Sequence, residues 1–204
     1  MDGDKKQERK KVLEALTRQD ILDAAISLLT REGIQCLTMD QVAAEAGVAK
    51  GTLYVYFENK EQMLEAAIDA SFDPLVRECS ALLDDDCLPD RKLTEFSLCY
   101  LRFFDERRDL IRVLLFDRER AYSGRSRYTD IRYRTFVERM ADVLDDGVRQ
   151  GLFSPLDSMK VAAMFIEANI GVVMQRIHDG ISGDVEKDAK QITDIFMKGL
   201  MRST

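Results

Sequence analysis

The chain has 204 residues, 46% of them hydrophobic and 33% charged, with three prolines and no tryptophan. That balance excludes a disordered or collagen-like chain and suits a helix-rich globular protein of one large domain or two smaller ones. The formal charge of −7 excludes a uniformly basic nucleic-acid coat, so any such activity must rest on local placement of charge within about one Debye length, roughly 8 Å at physiological salt.

Residues 1–16 are polar and basic, with Lys5, Lys6, Arg9, Lys10 and Lys11 and, as apolar anchors, Val12, Leu13 and Leu16. They read as an extension of the first helix, as an arm reaching an adjacent groove, or as a solvated tail. Thr17 with Asp20 forms a capping-box pattern. Ile21, Ala24, Ala25, Leu28 and Leu29 then give an amphipathic helix ended by Gly33. Ile34 and Leu37 close a small core. Thr38 opens the next helix, and Gln41, three residues on, completes a second capping box. Met39, Val42, Ala43 and Ala46 recur at helical spacing, and Gly47 suits the left-handed residue that turns the chain. Ala49 to Phe57 form a further helix, with Leu53 and Phe57 inward.

Lys50, Gly51, Thr52, Tyr54 and Tyr56 are left on the exposed face or leading end of that helix, and Lys60 follows shortly after. A braced helix followed by an outward one is helix-turn-helix logic. Lys50 stands near a helix N-terminus, where backbone N–H groups favour phosphate. Gly51 lets a duplex approach closely. Thr52 suits a base edge or a thymine methyl, and the tyrosine hydroxyls suit phosphate oxygens. The contacts expected for double-stranded DNA are therefore Thr38, Gln41, Lys50, Gly51, Thr52, Tyr54, Tyr56 and Lys60, with Lys50, Thr52 and Gln41 as the base readers. A nine-residue helix is about 13 Å long, against a major groove about 12 Å wide. Residues 1–64 hold nine Lys/Arg against eleven Asp/Glu, so placement rather than overall charge favours DNA.

The stretch Gly47-Val48-Ala49-Lys50-Gly51-Thr52-Leu53-Tyr54-Val55-Tyr56-Phe57-Glu58-Asn59-Lys60-Glu61 resembles the signature of TetR-type (tetracycline-repressor-like) regulators. The likeness extends upstream through Ile21 to Thr30, Gly33 and Leu37-Thr38-Met39, about the first third of the chain. Ala49 stands where the family often has serine. The rest resembles the family in length and helical character alone. The resemblance implies an all-α fold with an N-terminal three-helix DNA-binding domain and a C-terminal helical bundle. It also implies a homodimer with a cavity for a small effector.

Asn59, with Gln62 at the third position, starts a long helix bent at Pro74 and running to Leu83, with no Gly/Ser linker behind the DNA-binding part. Further helices are expected over Pro89 to Arg107, Leu110 to Phe116 and Tyr128 to Arg149, with a loop at Ser123-Gly124-Arg125-Ser126. Ser154, Pro155 and Asp157 read as a helix start. The helix to Ile177 is apolar nearly all round and is expected to be buried on both sides. A last striped helix runs from Asp184 to Met201. The expected organisation is a basic arm at 1–16, a helix-turn-helix domain at 17–63, and an effector and dimerisation domain at 64–204. Phe165, Val172, Ile192, Ile195, Phe196 and Gly199 are expected at a dimer interface. Phe72, Phe96, Tyr100, Phe103, Phe104, Phe136, Met140, Phe165 and Asn169 are expected around a small, mostly apolar effector; the alternative for them is a solid core.

Cys36, Cys79, Cys87 and Cys99 have no CxxC spacing and His178 is the only histidine, so no metal or cofactor is expected. Reduced, buried cysteines are expected, with a redox pair as the alternative. A single histidine and no paired acid motif argue against an enzyme. No uncharged apolar run reaches the ~18–20 residues of a membrane span, and the amino terminus lacks the apolar core of a secretory leader, so no membrane partner and a cytoplasmic location are expected. The reading is a DNA-binding transcriptional regulator, most simply a repressor released by its effector, with a regulator lacking an effector or an activator as alternatives.

Overall fold

The computed structural model describes residues 2–121 and 127–201, and their side chains except those of 2–4, 115–121 and 127–131. The loop expected at 123–126 and the side chains of Phe116, Tyr128 and Ile131 lie outside the described residues. Among the described residues there are nine helices and, in place of a sheet, one isolated bridge between Phe153 and Met201. The helices are α1 (Asp2–Cys36), α2 (Met39–Glu45), α3 (Lys50–Tyr56), α4 (Lys60–Asp84), α5 (Pro89–Glu106), α6 (Arg108–Ala121), α7 (Arg127–Arg149), α8 (Ser158–Asp179) and α9 (Val185–Leu200). The all-α expectation holds. None of these helices is long and apolar enough to cross a membrane.

The chain forms two compact units, Met1–Asp73 with Arg112–Ser123, and Pro74–Ile111 with Gly124–Thr204. In the first, Ile21, Leu22, Ala25, Leu28 and Leu29 of α1 are buried with Leu37, Val42, Leu53, Phe57, Met63 and Ala67. Burial of each Leu or Ile side chain stabilises the unit by about 1.5–3 kcal/mol. The capping box expected at Thr17 does not form. Helix α1 already runs through that position, and the Thr17 hydroxyl donates to the Leu13 carbonyl at 2.9 Å. Nothing from Lys5 to Leu16 breaks a helix, and Lys10 pairs with Glu14 one turn on, so the arm is helical. Val12, Leu13 and Leu16 are exposed rather than anchoring. Gly33, at φ 81°, breaks the helical conformation inside α1.

In the second unit α5 packs on α9 and α7 on α8. The core contains Leu93, Phe96, Leu101, Met140, Leu144, Phe153, Phe165 and Ile166, all 1% exposed or less. Gly147 is required here, because a Cβ at that position would meet the Phe153 ring at 2.1 Å. The helix start expected at Ser154 and Pro155 moves to Ser158. The Ser154 N–H is taken by the Leu200 carbonyl at 2.8 Å, and Asp157 is the cap, accepting from the Lys160 N–H at 3.1 Å. Helix α6 continues to Ala121 rather than stopping at Phe116. Helix α8 is not buried on every side: Met164 and Met174 are exposed, with Glu167 and Gly171 between them. Arg176 on α8 is a buried cation bonded to Asp105 at 3.0 Å, to Asp188 and to the Gly183 carbonyl. It ties the ends of α5, α8 and α9 together.

Candidate nucleic-acid interface

The geometry of the α2–turn–α3 segment follows from local chemistry. The Thr38 hydroxyl accepts from the Gln41 N–H, and the Gln41 side chain accepts from the Thr38 N–H at 2.9 Å, so the second capping box is complete. Gly47, at φ 67°, adopts the left-handed conformation. Its N–H and that of Val48 donate back to Ala44 and Ala43 at 3.2 and 2.9 Å, closing the end of α2. Ala49 is extended and makes no side-chain cap bond, as expected from an alanine in that place. Helix α3 has seven residues, not nine, because Phe57 turns to an extended conformation. Leu53 and Phe57 are buried, and the Arg18 guanidinium lies 5.4 Å above the Phe57 ring. That bracing fixes which face of α3 points outward.

The outward face carries Lys50, Gly51, Tyr54 and Val55, with Thr52 and Tyr56 half-buried beside them. Lys50 Nζ pairs with Asp40 at 2.7 Å, with both side chains more than half exposed. The hydrogen bond to Asp40 holds the Lys50 pKa above its ordinary value, and an exposed pair of this kind contributes little and exchanges readily for a phosphate. A Cβ added at Gly51 meets nothing within 4 Å, so nothing among the described residues explains this glycine.

Besides Thr38 and Lys50, two further expected contacts are engaged within the unit. The amide nitrogen of Gln41 donates to Glu32 at 3.0 Å, which leaves that side chain framing the start of α2 rather than standing free. Lys60 Nζ donates to the Ile34 carbonyl at 2.6 Å, so its charge helps hold the end of α1. One exposed side chain escaped the sequence reading: Val55 is 81% exposed. Its spacing from Gly51 and Thr52, i+4 and i+3, is the signal that places it on their face.

The expected effector residues of the second unit come together as a ring cluster. Phe96 contacts Tyr100, Phe136 and Phe165 at centroid distances of 5.8, 5.6 and 6.1 Å. Tyr100 contacts Phe104 at 4.8 Å, and Phe104 contacts Phe103 at 5.5 Å. Met140 is fully buried. Burial pushes the Tyr100 hydroxyl pKa well up. Phe72 belongs to the other compact unit. Asn169, fully buried, donates to the Phe165 carbonyl at 2.9 Å, and its side-chain oxygen has no partner among the described residues. Ser97 Oγ is likewise buried without a partner among the described residues, and sequence spacing alone did not single it out. Of the expected interface residues, Ile195 and Gly199 are exposed and Val172 and Phe196 half-buried. Phe165 and Ile192 turn inward instead, Phe165 against Phe96 and Phe196, because their spacing puts them on the core side of α8 and α9.

The family model for bacterial regulatory proteins of the tetR family matches residues 21–67, the span that runs from the first buried residue of α1 through the α2–turn–α3 segment into α4. Residues 21–67 are a TetR-family DNA-binding domain. The protein is a DNA-binding transcriptional regulator, and α2 and α3 are the two helices of its helix-turn-helix. Across its length the chain is 25% identical to the HTH-type transcriptional repressor KstR2 of Mycolicibacterium smegmatis over 191 residues, 93% of each. It is 40% identical to the HTH-type transcriptional regulator SrpR of Pseudomonas putida over 59 residues, 29% of this chain and 28% of that one. Among solved structures, a TetR transcription regulator from Haloarcula marismortui superposes with a TM-score of 0.77 at 19% identity, covering 92% and 100% of the two chains. The regulator FadR from Bacillus subtilis, solved in complex with stearoyl-CoA, does so at 0.74 and 17% identity, covering 89% and 98%. The TetR-family fold therefore extends over both compact units, at identities that carry fold alone for the solved structures.

Proposed function

We propose that this TetR-family regulator is a dimeric repressor whose two copies of α3 read a palindromic duplex in successive major grooves, about 34 Å apart. The observation that carries the reading is the outward face of α3. It presents a small, a hydroxylated and a cationic group that no internal packing requires. In functional terms residues 17–63 read DNA, residues 64–204 hold the effector and the partner, and the 1–16 segment extends α1. Lys50 and Thr52 face base edges or nearby phosphates, and Tyr54 and Tyr56 face the backbone. A seven-residue α3 is about 10 Å long and still spans most of a groove about 12 Å wide.

Dimerisation would use the exposed apolar side chains of α8 and α9, Met164, Met174 and Ile195, flanked by Val172, Phe196 and Gly199. A symmetric four-helix contact of this kind buries about 1,500 Å². The effector would be a small, mostly apolar molecule taken up among Phe96, Tyr100, Phe136 and Phe165. The unpartnered polar atoms of Asn169 and Ser97 would meet its hydrogen-bonding group, since a buried polar atom left alone costs about 1–3 kcal/mol. The stearoyl-CoA held by FadR supports an acyl-like ligand class. Helix α4 is one helix from Lys60 to Asp84, with Pro74 inside it. An effector that displaces it would weaken operator binding 5- to 150-fold, for a coupling of about 1–3 kcal/mol. A regulator without an effector has in its favour the ring-to-ring packing of the expected pocket residues. Extraction of the purified protein with organic solvent, followed by mass spectrometry, separates the two. A stoichiometric acyl compound that lowers operator affinity supports the effector, and equal affinity with every bound ligand refutes it. Light scattering tests the dimer, and a monomer in solution at micromolar concentration contradicts it.

A further inference from the structure

Two of the four cysteines are brought together in the second unit, where neither the DNA contacts nor the ring cluster uses them. Cys79 on α4 is fully buried, and Cys99 on α5 is partly exposed. Their sulfur atoms lie 3.8 Å apart with Cys79 as donor, and Cys99 in turn donates to Glu78 Oε2 at 3.7 Å. Cys99 also lines a cleft of about 230 Å³ with Glu78, Leu82, Leu98, Arg102 and Phe103. The buried thiol, the accessible thiol and the carboxylate thus form a hydrogen-bonded row that ends at an opening. Accepting the Cys79 hydrogen bond, helped by the charge of Arg102, holds the Cys99 thiol below its ordinary value against burial and the Glu78 charge. Donating that bond, together with burial, pushes the Cys79 thiol far up. A more acidic, partly exposed thiol hydrogen-bonded to a less acidic, buried one is an arrangement in which an attacking sulfur and a resolving sulfur are distinct.

We propose that Cys99 and Cys79 are an oxidisable dithiol: Cys99 meets a hydroperoxide in the cleft, and Cys79 resolves the product into a disulfide joining α4 to α5. In the first step Cys99 passes its proton to Glu78, and its thiolate attacks one peroxide oxygen. The S–O bond forms, the O–O bond breaks, and the departing hydroxide takes the proton from Glu78 to leave as water. In the second step the Cys79 sulfur attacks Cys99 Sγ. The S–S bond forms, the S–O bond breaks, and the hydroxide leaves with the Cys79 proton as a second water. The sum is two thiols and one hydrogen peroxide giving one disulfide and two waters. Closing from 3.8 Å to the roughly 2.05 Å of a disulfide asks for a change within reach of side-chain rotation. Cys36, exposed in the other unit, and Cys87, in the loop between α4 and α5, are the internal controls.

The test uses the full, freshly reduced chain, exposed to a small excess of hydrogen peroxide and digested with trypsin without reductant. The expected product is a cross-link between the peptides 78–91 and 93–102, lighter by two hydrogens than their sum and reversed by dithiothreitol. Peptide 78–91 holds both Cys79 and Cys87, so the cross-link must persist in Cys87→Ser and vanish in Cys79→Ala and Cys99→Ser. Alanine is used at position 79 to avoid burying a hydroxyl there. In Cys79→Ala the sulfenic acid on Cys99 persists and is captured by dimedone. Far-UV circular dichroism of each variant checks that the helices remain, and the cross-link site in the Cys87→Ser protein decides the matter even if Cys79→Ala does not fold. Loss of the cross-link in Cys87→Ser overturns the proposal. So does dimedone labelling confined to Cys36 and Cys87 while Cys99 stays reduced.

Discussion

The substitution Gly51→Ala separates what this residue does for the protein from what it does for the duplex. Gly51 sits in the first turn of α3 with an ordinary helical φ, and an added Cβ meets nothing within 4 Å. Inside the protein the new methyl therefore clashes with nothing. Replacing glycine by alanine in a helix stabilises by up to about 1 kcal/mol, through the lost freedom of the unfolded chain. A first-turn position realises about half of that. At the duplex the same methyl stands where the backbone or a base edge must come closest, on the face shared with Lys50, Tyr54 and Val55. Displacing that contact is expected to cost about 1–3 kcal/mol, a 5- to 150-fold loss of operator affinity at 1.4 kcal/mol per tenfold. Urea denaturation gives the first number and fluorescence anisotropy with a labelled operator gives the second. Unchanged or raised stability with weakened binding is the expected pair. A variant that binds as tightly as the parent shows that nothing approaches α3 at Gly51, and the assignment of its outward face fails.

Further outcomes follow for single substitutions. Thr38→Ala removes the cap of α2 and is expected to cost about 1 kcal/mol in urea denaturation, with Thr38→Ser restoring most of it. Lys60→Ala removes both a charge and the bond to the Ile34 carbonyl. It should lower stability by about 1–2 kcal/mol and weaken binding to all duplexes alike, whereas Thr52→Ala should relax preference at one base step. Arg176→Met leaves the Asp105 and Asp188 carboxylates without their buried partner and is expected to destabilise by about 3–5 kcal/mol. Finally, although burial pushes the Asp105 carboxyl up, hydrogen bonds from Arg176, Arg108 and the Gly183 N–H outweigh it and hold its pKa below the usual carboxylate range. A depressed folded-state value means stability that is complete above the unfolded-state value near 3.9 and falls as pH drops through the lower folded one. Acid unfolding below about pH 4 should therefore be shallower in Asp105→Asn than in the parent.

What could be read from the chain alone was local. The Thr38–Gln41 box, the turn at Gly47 and the inward pair Leu53 and Phe57 each depend on neighbours within four residues, and each stands as expected. Side-chain partners brought from afar were not legible. Lys60 meets the carbonyl of Ile34, 26 residues away, and Gln41 meets Glu32. The same blindness explains the displaced helix starts. Thr17 has a capping pattern but lies inside a helix that nothing upstream interrupts. Ser154 has one too, yet its N–H is claimed by Leu200 from the far end of the chain. Helix α8 looked apolar on every side because methionine counts as core in any periodicity, while Met164 and Met174 stand exposed. Exposure of that kind is decided by what packs beside the helix, which spacing does not contain.

The most direct test is the salt dependence of binding to a palindromic duplex from the upstream region of the protein's own gene, measured by anisotropy with the stoichiometry fixed by light scattering. Two protomers per duplex that together cover about 6–10 phosphates should lose roughly 10³- to 10⁵-fold in affinity between about 50 and 200 mM salt. A monomer, or a flat salt profile on every genomic fragment tried, contradicts the account.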